Sequence, residues 1–328
     1  MSPSGDPLVG GRLSSIPAGP LVVIVGPTGI GKSDLAMSLA RELDGGLISA
    51  DAMQVYRGFD LGTAKPDAEA RRQVHHELVD VADPQVNFSA GDFVRAAEAA
   101  MQSLRDRGLR PILVGGTGLY VRAFLGGLLV GPGRSPTLRE RLRRSSGQRR
   151  PGHLHRMLAR LDPPMAARLA PADQQRLVRA LEVRFRTGQP LSEHLARDGD
   201  EIWRRRERYD AVKIGLRMER DLLMERLAVR VHAFFDAGLV DEVRGLLAAG
   251  IKPTANAFKG IGYRESLDVV GGRCSEAEAR ERTLIATRQY AKRQMTWFRR
   301  EPDLHWLDVD VKRDRLHHRA LALIRQAD

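Results

Sequence analysis

The pattern of apolar and polar residues predicts strands that alternate with helices in the early part of the chain. Residues 21–25 form a continuous β-branched run, which is typical of a parallel strand buried on both faces. Apolar residues at helical spacing follow in 32–43. Further strands are predicted at 47–50 and 111–114, and a helix is predicted at 93–107. This alternation favours an α/β fold with a parallel sheet.

The pattern changes at the glycine-rich stretch 126–133, which indicates a domain boundary. No strand is predicted from residue 137 to about residue 207, where helices rich in Arg, Leu and Ala, such as 174–186, replace the alternation. A strand at 211–216 returns to the sheet, and helices such as 276–299 dominate the remainder. We expect four segments: a flexible tail at 1–20, the first part of a P-loop core at 21–130, a helical insertion at 131–207, and the second part of the core with C-terminal helices at 208–328.

Composition narrows the class of protein. The 328 residues are 42% hydrophobic and 29% charged, as in a globular chain. The net charge of +12 favours a polyanionic partner, although many basic proteins bind no nucleic acid. A single cysteine, Cys274, excludes an internal disulfide and a cysteine-rich zinc site. There is neither a bilayer-length apolar run nor a signal-peptide pattern, so we expect a cytoplasmic protein without membrane contact.

The turn after the first strand carries the clearest chemical motif. It fits G-x-x-x-x-G-K-[ST] and lies between a predicted buried strand and a predicted helix, as a phosphate-binding P-loop requires. Its backbone N–H groups and the helix N-terminus would hold a phosphate, its lysine would add a positive charge, and its serine hydroxyl would ligate Mg²⁺. A chance match in a glycine-rich chain is the alternative. The eight residues are Gly26, Pro27, Thr28, Gly29, Ile30, Gly31, Lys32 and Ser33.

Two polar residues end predicted strands, and the strand that ends at Asp51 is expected to lie beside the strand of the P-loop. Asp51 follows strand 47–50, where a carboxylate could take a proton from a nucleophile or serve as the metal-side carboxylate of a phosphotransferase. Asp is also a frequent helix N-cap or turn residue. Thr117 follows strand 111–114 and could reach the same crevice, or its hydroxyl could only satisfy the glycine-rich turn.

Several basic clusters lie in the predicted helical regions. They could be solvated helix faces, which is the usual meaning of a charge run, or a surface for nucleic acid. A phosphate loop on the same chain makes a nucleic-acid substrate more plausible. The clusters include Arg139, Arg141, Arg143, Arg144, Arg176, Arg179, Arg204, Arg205, Arg206, Arg288, Lys292 and Arg293.

Seven separated segments match one family in order, between about residue 21 and residue 308. The chain resembles the bacterial tRNA dimethylallyltransferases, also called tRNA isopentenyltransferases. Apart from the P-loop, none of these segments is specific alone, but together they are. The segments are 26–33, 48–57, 60–66, 114–120, 173–182, 260–265 and 287–294.

The resemblance implies a reaction. The P-loop, including Thr28, would hold the diphosphate of dimethylallyl diphosphate rather than ATP, with Mg²⁺ on Ser33. Asp51 would be the general base for the adenine amine, Thr117 would place the adenosine, and Arg230 would reach the diphosphate. The alanine that follows Asp51, where serine is common in the family, and Ser33, where threonine is common, remove no necessary group.

The resemblance also implies a tRNA surface. The protein, expected to be a monomer, would bind the anticodon stem-loop and modify the adenosine on the 3′ side of the anticodon. The residues expected to contact tRNA are Asp51, Ala52, Met53, Gln54, Thr117, Arg139, Gln175, Arg176, Arg179, Lys259, Gly262, Arg264 and Arg288.

Three other interpretations remain open from the sequence. The chain could be a small-molecule P-loop kinase, although such an enzyme would not need a basic insertion. It could be a non-catalytic RNA-binding protein with a vestigial loop, although Lys32, Ser33 and Asp51 are intact. It could also belong to the family but prefer a hydroxylated allyl diphosphate as donor.

Overall fold

The computed structural model describes residues 19–127, 132–198, 207–309 and 313–328. Its strands are β1 (Leu21–Val25), β2 (Gly45–Ser49), β3 (His76–Glu77), β4 (Arg110–Gly115), β5 (Ala211–Arg217) and β6 (His305–Asp308). Its helices are α1 (Lys32–Glu42), α2 (Ala68–Gln73), α3 (Ala90–Asp106), α4 (Gly118–Gly126), α5 (Pro136–Gly147), α6 (His153–Leu161), α7 (Pro163–Arg168), α8 (Gln174–Thr187), α9 (Leu191–Asp198), α10 (Arg220–Asp236), α11 (Leu239–Ala248), α12 (Tyr263–Val270), α13 (Glu276–Phe298) and α14 (Arg313–Arg325).

The strands form one parallel sheet in the order β3-β2-β4-β1-β5-β6. Each neighbouring pair is parallel, for example Val23 beside Leu113 of β4 and beside Lys213 of β5. The predicted α/β fold with a parallel sheet is therefore confirmed. The strand predicted at 211–216 joins the sheet as β5, directly beside β1.

The centre of the sheet is buried on both faces. All five residues of β1 are at most 1% exposed. Val22 and Ile24 pack in an apolar cluster with residues of α1 and α14. Such a strand has no solvent face, which explains why its sequence is a continuous apolar run rather than an alternation. Since parallel strands end at one edge, the loops that follow β1, β2 and β4 leave the sheet side by side.

The sequence pattern missed two edge strands. β3 has only two residues, and β6 is four residues in which only Leu307 is buried. Helices do dominate after strand 211–216, as expected, but the sequence analysis predicted no strand at β6. A short edge strand such as β6 forms because it pairs with a neighbouring strand, here β5. Four residues are too few to show a strand periodicity in the sequence.

The chain divides into two compact units. One contains the described residues up to Val121 and from Tyr209 onward, and the other is Arg122–Arg208. The second unit contains the segment expected as an insertion, 131–207, and begins nine residues before it. Its described residues hold helices and a core of their own, including Leu154, Leu177 and Leu181, all fully buried.

The predicted flexible tail, 1–20, lies almost wholly outside the described residues. Among the helices that the structure describes, none is both long enough and apolar enough to cross a membrane.

Candidate active site

The turn after β1 has the backbone of a loop that can curl around an anion. Gly26, Gly29 and Gly31 have φ values of 153°, 76° and 97°. Residues other than glycine rarely adopt such backbone angles. Helix α1 begins at Lys32 directly after Gly31, so its free N–H groups face the turn. We call residues 26–33 the phosphate loop.

The phosphate loop packs closely against α10. A Cβ atom on Gly29 would lie 2.7 Å from Cδ2 of Leu227, so any other residue at this left-handed backbone position would also have to displace the Leu227 side chain. Arg230 stands three residues after Leu227, on the same side of α10, and lines the cleft in front of the loop. Burial lowers the pKa of Arg230, while the charges of Asp51 and Asp34 act in the opposite direction.

Lys32 lies in an unfavourable place for a cation when no anion is present. Its Nζ donates to the Pro27 carbonyl over 2.8 Å. Burial, and then the positive charge of Arg230, lower the pKa of Lys32 to about 7, although the Asp51 carboxylate raises it. Two cations converge in front of the phosphate loop, and a bound polyanion would relieve the repulsion between them.

Asp51 follows β2 and faces the same cleft. Its Oδ1 accepts the N–H groups of Met53 (2.8 Å) and Gln54 (3.3 Å), which fixes the carboxylate by a turn of its own chain. Gln54 in turn donates to the carbonyls of Thr63 and Ala64, both over 3.1 Å. The carboxylate therefore sits on a braced loop beside the phosphate loop.

Thr117 joins the loop after β4 to the loop that carries Asp51. Its N–H donates to the Ala50 carbonyl over 3.1 Å, and its Oγ1 accepts the N–H of Ala52 over 3.0 Å. The side chain thus holds the loop that carries Asp51, a contact that differs from the glycine-rich turn considered from the sequence.

The sequence interpretation missed Gln294 and Tyr290 as site residues. Both line the cleft from α13. Oε1 of Gln294 accepts the N–H of Thr28 over 2.8 Å, and its Nε2 donates to the Gly116 carbonyl over 2.9 Å. The sequence carried two signals for Gln294: it falls between Ala291 and Phe298 on the buried stripe of α13, and it ends the family-matching segment 287–294. Burial is also the largest cause that raises the pKa of Tyr290.

These residues surround an open cleft of about 860 Å³ at the carboxyl ends of the strands. The phosphate loop and the start of α1 form one wall, and Asp51 and residues 63–67 form another. Residues of α10, α13 and the strands β2 and β4 add to the lining. The structure thus brings together Thr28, Lys32, Ser33, Asp51 and Arg230, while Thr117 stands behind the lining as a brace.

A divalent cation fits the donors at this edge. The Ser33 hydroxyl and the carboxylates of Asp34 and Asp51 all line the cleft, and hard cations prefer such oxygen ligands. Within the described ranges, no cluster of three His, Cys, Asp or Glu could hold a metal by itself. A cation here would therefore complete its coordination with oxygens of a bound phosphate group and with water.

The other residues that were expected to contact tRNA, and that belong to the unit with the cleft, lie in different environments. Lys259, Arg264 and Arg288 are exposed, and Arg264 contacts the Glu265 carboxylate. Gly262 is buried, and its N–H donates to Glu265 over 2.8 Å. Met53 packs against Gly260 and the apolar cluster beneath this segment.

In the helical unit, the expected residues fall into two groups. Gln175 and Arg176 are exposed on the first turn of α8. Arg139 and Arg179 instead meet at Glu182, whose side chain is fully buried. Arg139 donates through Nε (2.8 Å) and a terminal nitrogen (2.6 Å), and Arg179 donates over 2.9 Å. These hydrogen bonds, with that of the Ser135 N–H, lower the pKa of Glu182 to about 2 against the opposing effect of burial.

Comparison with known proteins adds to this geometry. Residues 54–301 match the sequence model of the family described as IPP transferase. The chain belongs to the IPP transferase family. It is 47% identical over 298 residues to the tRNA dimethylallyltransferase of Geobacter sulfurreducens, which covers 90% of this chain and 93% of that protein.

Solved structures agree with the family assignment. The full-length tRNA isopentenylpyrophosphate transferase of Bacillus halodurans is 37% identical, with a TM-score of 0.68 over 94% of this chain and 97% of that one. A eukaryotic dimethylallyltransferase, captured while acting on tRNA, is 25% identical, with a TM-score of 0.77 over 92% of this chain and 77% of that one. The resemblance found in the sequence is thereby confirmed.

Proposed function

We propose that the protein transfers the dimethylallyl group of dimethylallyl diphosphate to the N6 amine of the adenosine 3′ to the anticodon of tRNA, and releases diphosphate. Membership in the IPP transferase family supports this reaction, as do relatives named tRNA dimethylallyltransferase. The observation that carries the proposal is that one cleft combines a cation-rich phosphate loop with a fixed carboxylate, Asp51.

The phosphate loop serves the leaving group. Breaking the allylic C–O bond builds negative charge on the diphosphate, and the N–H groups at the start of α1, Lys32 and Arg230 stabilise that charge. Mg²⁺ bound at Ser33 would neutralise further charge on the diphosphate oxygens. A protonated Lys32, which is disfavoured in the empty cleft, becomes favoured once the diphosphate is present.

Asp51 serves the acceptor. As the adenine amine attacks the allylic carbon, the nitrogen gains positive charge and must lose a proton, which the free Oδ2 side of the carboxylate can accept. Oδ1 stays engaged with the N–H groups of Met53 and Gln54, so the proton acceptor keeps its orientation. The exocyclic amine is a poor nucleophile, and alignment by the loops therefore matters for the rate.

The tRNA must present this adenosine outside its base stack. We expect the base to be flipped into the cleft, at a cost of about a few kcal/mol that contacts with the protein offset. Exposed cations would bind the phosphates of the anticodon stem-loop. They include Lys259, Arg264 and Arg288 in the unit that contains the cleft, and Arg176 in the helical unit. A complex in which this adenosine remains stacked would contradict the flipping step.

The test is a transfer assay with a minimal change at the base. Labelled dimethylallyl diphosphate, Mg²⁺ and unmodified tRNA are incubated with wild type and Asp51→Asn. Asparagine keeps an oxygen for Met53 and Gln54 but cannot take the proton, so we expect label in the tRNA with wild type and a fall in kcat of about 10²- to 10⁴-fold in the variant, with tRNA affinity retained. Asp106→Asn, on the exposed end of α3, is the matched control and should transfer normally.

The same assay separates the competing functions. A phosphate-loop kinase would consume ATP with a small acceptor and leave the tRNA unlabelled. A non-catalytic RNA-binding protein would bind tRNA with unchanged affinity after Lys32→Ala and transfer nothing. Competition between dimethylallyl diphosphate and a hydroxylated allyl diphosphate, compared by kcat/KM, decides the donor.

A further inference from the structure

A buried side chain on α13 ties together the loops that carry the two halves of the reaction. Gln294 is only 5% exposed, and both ends of its amide are used. Its Oε1 accepts the Thr28 N–H of the phosphate loop over 2.8 Å, and its Nε2 donates to the Gly116 carbonyl after β4 over 2.9 Å. One amide therefore bridges the loops after β1 and β4.

The bridge continues to the loop of Asp51. The residue after Gly116 is Thr117, which donates to the Ala50 carbonyl and accepts the N–H of Ala52, on either side of Asp51. A series of hydrogen bonds, joined by the Gly116–Thr117 peptide bond, thus runs from the phosphate loop through Gln294 and Thr117 to the backbone on either side of Asp51. The separation between the leaving group and the proton acceptor is set by this series.

The backbone at Gly116 is adapted to the bridge. A Cβ atom on Gly116 would lie 2.2 Å from Nε2 of Gln294, which is closer than two non-bonded atoms approach. The φ angle of Gly116 is not in the left-handed region, so glycine is not needed there for its backbone freedom. Its use is to admit the Gln294 amide.

We infer that Gln294 is a positioning residue, whose amide holds the phosphate loop in register with Thr117 and Asp51 so that the reacting carbon and the acceptor amine are aligned. This inference rests on the proposed function. Gln294 need not touch the substrate, because its amide oxygen and nitrogen are engaged by backbone groups of the loops, besides a hydrogen bond with the Tyr290 side chain. It acts on alignment, to which rates are steeply sensitive, since a misplacement of about 1 Å can cost about 10²-fold.

The variant Gln294→Met keeps the length of the side chain and removes both hydrogen bonds. Lys32, Arg230 and the other N–H groups of the phosphate loop remain, so we expect the KM for dimethylallyl diphosphate to change by less than about threefold. The kcat should fall by about 10- to 100-fold because the loops lose their register. Gln102→Met, at an exposed residue of α3 bonded only to Asp106 of its own helix, is the control and should retain wild-type kcat.

A second variant tests whether the bridge itself is responsible. In Gly116→Ala, the added Cβ atom would displace Nε2 of Gln294, so this variant should show the same loss of kcat as Gln294→Met. If both changes break one bridge, the double variant loses no more than the worse single variant. A purely structural role would instead lower the melting temperature and leave kcat per folded molecule unchanged, so each variant is measured at a temperature where it is fully folded.

The outcomes separate this inference from the proposed function. No transfer by wild type would overturn the proposed function, and the positioning role with it. Transfer by wild type with a kcat for Gln294→Met within about twofold of wild type would overturn the positioning role alone. Losses that multiply in the double variant would also overturn it, because Gly116 and Gln294 would then act independently.

Discussion

The charge state of Lys32 predicts that donor binding takes up a proton. The pKa of Lys32 is about 7, mainly because of burial and then because of Arg230. A bound diphosphate places negative charge beside Nζ and raises this pKa toward its ordinary value of 10.5. Above pH 7 the complex therefore holds more protons than the free protein, and donor affinity must fall as the pH rises.

The size of the effect follows from the pKa. At pH 8 about one-tenth of the free protein carries a protonated Lys32, and at pH 9 about one-hundredth, so the Kd for the donor should rise about tenfold per pH unit. Two other titratable groups at the cleft have pKa values that move away from this range. Burial is the largest cause that lowers the pKa of His76 from 6.5, and burial raises that of Tyr290 beyond 10.0.

The assay is calorimetric titration with dimethylallyl diphosphate in the absence of tRNA, at pH 8 and pH 9. Two buffers of different ionisation enthalpy at each pH give the proton uptake directly, and we expect close to one proton per donor. In Lys32→Arg, the matched control, the side chain stays charged, so the affinity should not change between the two pH values. A wild-type Kd that is equal at pH 8 and pH 9, or a slope that persists in Lys32→Arg, would refute the assignment.

Three further predictions concern stability and the loop. Glu182→Gln should lower the unfolding free energy at pH 7 by about 3 kcal/mol, because the pKa of this buried carboxylate is lowered in the folded state. Urea denaturation measures this loss. The exposed Glu140→Gln is the control and should change the unfolding free energy by less than about 0.5 kcal/mol. Because the folded pKa is about 2 against 4.5 unfolded, this contribution is present above pH 4.5 and is lost as the pH falls toward 2; a variant with the wild-type acid profile would contradict it. Gly29→Ala should weaken donor binding by at least about tenfold, because its Cβ would strike Leu227 at a backbone angle that alanine avoids, and unchanged affinity would count against the described loop. Tyr263→Phe should cost about 1–3 kcal/mol in thermal unfolding without changing kcat, because the hydroxyl that receives the Gly62 N–H and donates to Glu242 is lost.

The sequence was most informative where one local signal determines the structure. The apolar run of β1, the glycine-rich turn and the start of α1 are adjacent in the chain, so their pattern predicted the phosphate loop and the parallel sheet. Asp51 was recognisable because it follows a strand of the expected parallel sheet, but β2 is not the neighbour of β1 that the sequence suggested, since β4 lies between them. The short strand β6 was not recognisable, since its pairing with β5 is a property of the folded sheet.

Partners far apart in the sequence could not be foreseen. Gln294 lies 266 residues after Thr28 and 178 after Gly116, and no local pattern reports those hydrogen bonds. Arg139 and Arg179 were grouped with surface cations, but in the structure both donate hydrogen bonds to the Glu182 carboxylate. Arg139 is 43 residues from Glu182 in the sequence, and Arg179 is 3 residues from it. Their role in tRNA binding stays a prediction, whereas their hydrogen bonds to a buried carboxylate add a role in the stability of the helical unit.

The most direct test of the central claim is to locate the product. Unmodified tRNA is treated with wild-type protein, dimethylallyl diphosphate and Mg²⁺, then digested with nuclease and sequenced by mass spectrometry, beside a tRNA in which guanosine replaces the adenosine 3′ to the anticodon. We predict one dimethylallyl group on N6 of that adenosine, none on the guanosine tRNA, and loss of the product in Asp51→Asn. A dimethylallyl group at another nucleotide, or no modified tRNA from folded protein that binds both substrates, would contradict the proposed function.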